Sequence, residues 1–156
     1  MKEKDMAFYK NETMTNGMFG PNNSGHTYKP APYHSVNAKR NKDKTRWRYP
    51  VSAEYHVFNL ADEHDGKVGK DGIIDKRWIN DDGKGLYSLV DDCRVILGKD
   101  NEERFAYFKK PSNVNDPWHG YPIDNTDIGE ELIEYWYEKK VISESTYLRL
   151  CRHQSI

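Results

Sequence analysis

The sequence predicts an α+β fold: a small antiparallel sheet packed by a short helix and a C-terminal helical hairpin, with a largely irregular N-terminal arm over residues 1–50. Three observations predict it. Two apolar runs, "RVILG" and "ERFAYFKK", flank the polar turn "KDNE" in the manner of a β-hairpin over 94–109. Apolar residues recur at helical spacing between Asp124 and His153, with a capping residue before each run. Before Pro50 the chain shows neither the helical nor the strand period and is rich in Gly, Pro, Asn and Ser.

Taken in order, the arm comes first. Its low hydrophobicity favours an irregular or partly disordered segment. Its aromatics (Phe19, Tyr28, Tyr33, Trp47, Tyr49) are spaced as anchors for a segment draped over a core. The α+β domain then spans 51–156. "VSAEYHVFNL" alternates Val51, Ala53, Tyr55 and Val57 with Ser52, Glu54, His56 and Phe58, which predicts a strand over 51–60. A connector rich in Asp and Gly follows, with a short strand or turn at 72–78. Its spacing fails the EF-hand rule, because counting from Asp62, Asp65 or Lys67 each time puts a non-ligand at a required position.

Leu86, Leu89, Val90 and Cys93 fall at i, i+3, i+4 and i+7, which predicts a short amphipathic helix over 84–93. After the hairpin, "NDPWHGYPI" (Asn115 to Ile123) reads as a stiff strand-to-helix corner, since Pro117 and Pro122 each fix φ and bias the residue before them to extended backbone. In the C-terminal hairpin, Asp124 or Thr126 is expected to cap the first helix and Ser143 the second. Ile128, Leu132, Tyr135 and Trp136 form the buried stripe. Cys93 and Cys151 both fall on apolar helix faces and are expected in the core.

Bulk composition narrows function. Apolar residues are 36% of the chain and aromatics 13%, so bulky rings must fill a thin core or stand on a binding surface. A net charge of -1 gives no global field for nucleic acid or an anionic membrane. Two cysteines without a CxxC pair suit a reducing cytoplasm. No stretch reaches the roughly 18 apolar residues of a membrane span. The Asn, Lys, Tyr and Asp content is of the kind AT-rich coding genomes produce, which suits a bacterial or phage origin.

Metal ligation wants short spacings such as HExxH or CxxC, and neither is present. No metal or cofactor is expected. "KRNKDKTRWRY" sets Lys39, Arg40, Lys42, Lys44, Arg46 and Arg48 among Trp47 and Tyr49. Cations neutralise phosphates and rings stack bases, so residues 39–49 suit single-stranded nucleic acid, an acidic protein, or simply a solvated, mobile arm. The first functional reading is a non-enzymatic interaction protein with a protein partner, an accessory, immunity-type or phage-encoded binder. Its binding residues would be Trp118, Tyr121, Lys39, Arg40, Lys42, Lys44, Arg46, Trp47 and Arg48. One alternative is a metal-independent nuclease with His119, His34 and Tyr121 as catalytic residues, because acid–base histidines need no strict motif. The other is a nucleic-acid-binding module without catalysis.

Overall fold

The computed structural model describes residues 8–64, 77–80, 83–154 and 156. Helix α1 (Val51–Asp62) is followed by strands β1 (Gly85–Ser88), β2 (Phe105–Lys109) and β3 (His119–Ile123), then helices α2 (Glu130–Glu138) and α3 (Glu144–Cys151). The strands form one antiparallel sheet in the order β1-β2-β3. The class is α+β, with the C-terminal helical hairpin in place.

Two elements exchange the identities their patterns predict. Residues 51–60, expected as a strand, form helix α1. Ala53, Val57 and Ala61 repeat every four residues, Tyr55 and Phe58 lie beside them, and all five are buried. A helix covered on most sides shows apolar residues at many spacings, including a two-residue alternation. Conversely, residues 84–93, expected as a helix, hold β1. All four of its residues are buried, and a strand covered on both faces loses its alternation. Asp91, Asp92 and Cys93 then take φ of 53°, 55° and 66°, a left-handed turn that a right-handed helix cannot contain.

The predicted hairpin over 94–109 keeps only its second arm. The N–H groups of Leu97 and Gly98 both donate to the Glu103 carbonyl and close the turn, but β2 pairs with β1 and β3 instead. The "NDPWHGYPI" corner is half strand, since its last five residues are β3. Pro122 is tolerated there because β3 is an edge strand. The Gly120 and Pro122 carbonyls point away from β2 and accept from the arm, so the absent Pro122 N–H falls on that same open side.

In the hairpin, α2 begins from Gly129 rather than from Asp124 or Thr126. Asp124 Oδ1 accepts from the Thr126 N–H in a local turn. Ser143 caps α3, accepting from the Thr146 N–H at 3.2 Å. Cys93 is buried as expected, but Cys151 is exposed, because α3 buries mainly Thr146 and Leu150. Most of the expected turn at 72–78 lies outside the described residues.

The core lies between α1 and the inner sheet face, and the arm completes it. Phe108 meets the rings of Phe58, Tyr28 and Trp47 at 5.3, 5.8 and 6.1 Å. Phe19 stacks on Tyr55 at 4.6 Å. Residues 27–29 run alongside β3, with Trp118 N–H donating to Thr27 and Lys29 N–H donating to Trp118. Phe105 stacks on Trp136 and anchors α2 at one end of the sheet.

Candidate functional site

Side chains alternate across a sheet, so one residue from each strand can share a row on one face. The register places Tyr87 opposite Tyr107, and Tyr107 opposite Tyr121, on the face away from α1. Ring centroids are 5.2 Å apart for Tyr87 and Tyr107 and 5.9 Å for Tyr107 and Tyr121. The row continues past the β3 edge into the arm. His34 stacks on Tyr121 at 4.8 Å and 19°, and Tyr33 touches His34 at 4.8 Å. The result is a continuous ribbon of five rings from the exposed Tyr33 to the buried Tyr87.

The 3-10 turn Pro32–His34 positions the arm's part of the ribbon. His34 Nδ1–H donates to the Thr45 carbonyl at 2.6 Å, and the Trp47 N–H donates back to the His34 carbonyl. Burial holds the His34 imidazole below its usual pKa, against the opposing pull of the Thr45 carbonyl, so the ring is neutral at pH 7. Tyr121 is half-buried, and its phenol is pushed up by burial and by the Asp127 charge. At the ribbon's outer end, the Lys44 ammonium lies 5.0 Å from the Tyr33 ring centre. Lys39 and Arg40 join Pro32, Tyr33, Ala38 and Asn41 around a surface pocket of about 510 Å³. At its inner end, a cleft of about 580 Å³ is lined by Tyr87, Tyr107, Tyr121, Asn80, Ile123, Asp127 and Gly129.

The predicted binding residues divide into two groups. Lys39, Arg40, Lys42 and Lys44 are exposed; Lys39 and Arg40 share a pocket with Tyr33, and Lys44 lies over its ring. Trp47 and Trp118 are core residues, 0% and 4% exposed, so neither can stack on a partner. Arg46 is held in a two-point pair with Asp100, at 3.0 and 2.7 Å, and Arg48 donates to the Gly98 carbonyl. Of the predicted catalytic residues, His34 and Tyr121 are in contact. His119 is exposed at the start of β3, with Nδ1–H donating to the Lys29 carbonyl at 2.8 Å. No ring contact joins it to another histidine among the described residues.

A second cluster carries no sequence motif. Asp62, fully buried at the end of α1, accepts from His26 Nδ1 at 2.8 Å, Arg77 at 2.7 Å and Asn22 at 2.8 Å. Ser24 donates to the Asp62 carbonyl, and Asn23 N–H to Glu63. The carboxylate fixes the His26 tautomer with its proton on Nδ1. The cluster ties the 22–26 loop to α1. His26 and Asp62 are 36 positions apart, so no local spacing could have announced them. No group of three or more metal-ligating side chains forms among the described residues, and none of their helices is long and apolar enough to cross a membrane.

No family model matches this chain. Comparison with curated proteins and with solved structures likewise finds no match. The candidate surface therefore stands on its own geometry.

Proposed function

We propose that this is a non-enzymatic binding protein whose contact surface is the aromatic ribbon from Tyr33 to Tyr87 together with the basic residues Lys39, Arg40, Lys42 and Lys44, and whose partner is another protein. The observation that carries it is the ribbon: five rings in contact, buried at one end and open at Tyr33, which is 57% exposed. Tyrosines offer large contact area with little rotamer entropy to lose, which suits an anchor row. The basic group beside it would select an acidic stretch of the partner and speed its approach. Two free cysteines, Cys93 and Cys151, suit a cytoplasmic setting.

Single-stranded nucleic acid is the second reading. It is favoured by one exposed ring flanked by the cations Lys39, Arg40 and Lys44, the arrangement that stacks a base and neutralises its phosphates. A nuclease has less support, because His34 is committed to Thr45 and Tyr121, and Arg46 to Asp100. The test is photo-crosslinking from position 33, repeated in a Lys39→Glu, Lys42→Glu variant that carries the same crosslinker and monitored for partner loss. The proposal expects one defined protein crosslink, reduced at least ten-fold in a variant whose thermal midpoint is unchanged. Salt-sensitive binding of a single-stranded oligonucleotide, lost in that variant, would establish the second reading instead. RNA cleavage abolished by His119→Ala would establish the nuclease.

A further inference from the structure

The inner end of the ribbon has a chemistry opposite to its basic outer end. Tyr87, Tyr107 and Tyr121 line the cleft from three neighbouring strands, with their rings inclined at 48° and 61° to one another. The three rings wall the cleft without lying parallel. They do not make the parallel slot that would grip a flat base. The face of each phenol ring carries the negative side of its quadrupole and attracts cations. Asp127 lines the same cleft, and its charge is felt at the Tyr121 phenol. The segment bearing it is fixed, because the Tyr87 hydroxyl donates to the Asp127 backbone carbonyl at 3.0 Å. Asn80 adds a neutral amide to the lining.

We infer that this cleft is a cation-binding tyrosine cage that takes an organic ammonium, specifically a lysine side chain, unmodified or methylated, presented by the protein partner. Charge complementarity decides the occupant. A phosphate or nucleotide would meet the Asp127 carboxylate, which repels an anion. A neutral apolar group would gain burial but nothing from the carboxylate. An ammonium gains from both, and one desolvated against aromatic faces gains most. The partner surface would then be bipolar, with acidic residues over Lys39 to Lys44 and a lysine seated in the cage. The inference rests on reading the ribbon as a protein-contact surface, since it names what the partner brings to one end of it.

The probe is Nα-acetyl-Nε-trimethyllysine methylamide, titrated into the full-length chain carrying ring-labelled tyrosine. Its partner in the experiment is the neutral isostere with a tert-butyl group in place of trimethylammonium. The inference expects saturable binding, an upfield shift of the probe's methyl protons, and movement of the Tyr87, Tyr107 and Tyr121 ring signals. It expects the neutral isostere to bind at least ten-fold more weakly, and Asp127→Asn to weaken the cation at least three-fold. That substitution keeps the backbone carbonyl that Tyr87 uses, so the cleft's shape is retained. Tyr121→Ala should abolish the methyl shift. Equal binding of the two probes, an unchanged affinity in Asp127→Asn, or perturbation only outside the three tyrosines would overturn the cage. If the probes fail to bind while the position-33 crosslink to a protein persists, the cage is wrong and the binding-protein reading stands. If the probes bind in the cage but no protein crosslinks from position 33, it is the binding-protein reading that fails.

Discussion

Gly120 lies opposite Phe108 in the β2–β3 pairing, and a Cβ placed on it would fall 2.0 Å from Phe108 Cδ1 and 2.6 Å from the Tyr107 carbonyl oxygen. The ring that joins Phe58, Tyr28 and Trp47 occupies the space a side chain would need. Gly120→Ala is therefore expected to cost about 1–3 kcal/mol by overpacking, read as a lower urea midpoint at constant slope; an unchanged midpoint would mean the ring can swing aside. Glu54 poses a charge problem instead. It is fully buried, accepts from the Tyr28 hydroxyl at 2.8 Å, and its Oε2 has no partner among the described residues. Burial, only partly opposed by the Tyr28 hydrogen bond, raises its pKa from 4.5 to about 8. Below pH 4.5 both folded and unfolded chains hold the proton. Between 4.5 and about 8 the unfolded chain ionises first, so stability is lost as pH rises, and the loss levels off above 8. The effect is on the order of several kcal/mol. Comparing urea midpoints of the wild type and Glu54→Gln at pH 5 and pH 8 isolates it from the histidines. The wild type should lose more stability than the variant between the two, and equal losses would clear Glu54.

The elements show where local pattern speaks and where it does not. α3 was legible, because Ser143 is a capping residue in front of an apolar repeat and it does accept from Thr146. Ser143→Ala should cost roughly 1 kcal/mol of stability, with no loss in a melt indicating that the Asp92 carboxylate, which accepts from the Ser143 N–H at 2.9 Å, holds the turn alone. α1 and β1 were not legible. α1 is packed against the sheet, with Ser88 donating to the Val57 carbonyl, and against the arm through Tyr55 and Phe58. β1 has no exposed residue to mark an outer face. Periodicity reports which side of an element meets water, and an element with little wet side gives a misleading period. The left-handed run from Asp91 to Cys93 was equally hidden, since no glycine marks it.

At the scale of the whole molecule, the sheet has three strands among the described residues, and both outer edges are covered. Residues 78–80 bond to β1 through Trp78 and Asn80. The arm covers β3: Thr45 donates to the Pro122 carbonyl at 2.8 Å and the Trp47 indole donates to the Gly120 carbonyl at 3.3 Å. An uncovered edge is a template for pairing with another chain, so the arm stabilises the fold and protects it. Trp47→Ala is expected to cost about 3–5 kcal/mol and to raise aggregation; a small cost would mean the arm rests on the sheet without completing its core. For the candidate surface, the sequence pointed to Tyr121, His34 and the cations from Lys39 to Lys44. It also pointed to Trp47 and Trp118, which packing has taken for the core. By itself, the sequence determined the α+β class, the C-terminal hairpin and the anchoring of the arm by Phe19, Tyr28 and Trp47, though not by the exposed Tyr33, because caps, turns and exposed stripes are written in neighbouring residues. Only the tertiary structure decided which of 51–62 and 85–88 is helix and which is strand, and which tyrosines stand in one row. Both depend on what covers each face and which strands pair, and those partners lie tens of residues away along the chain.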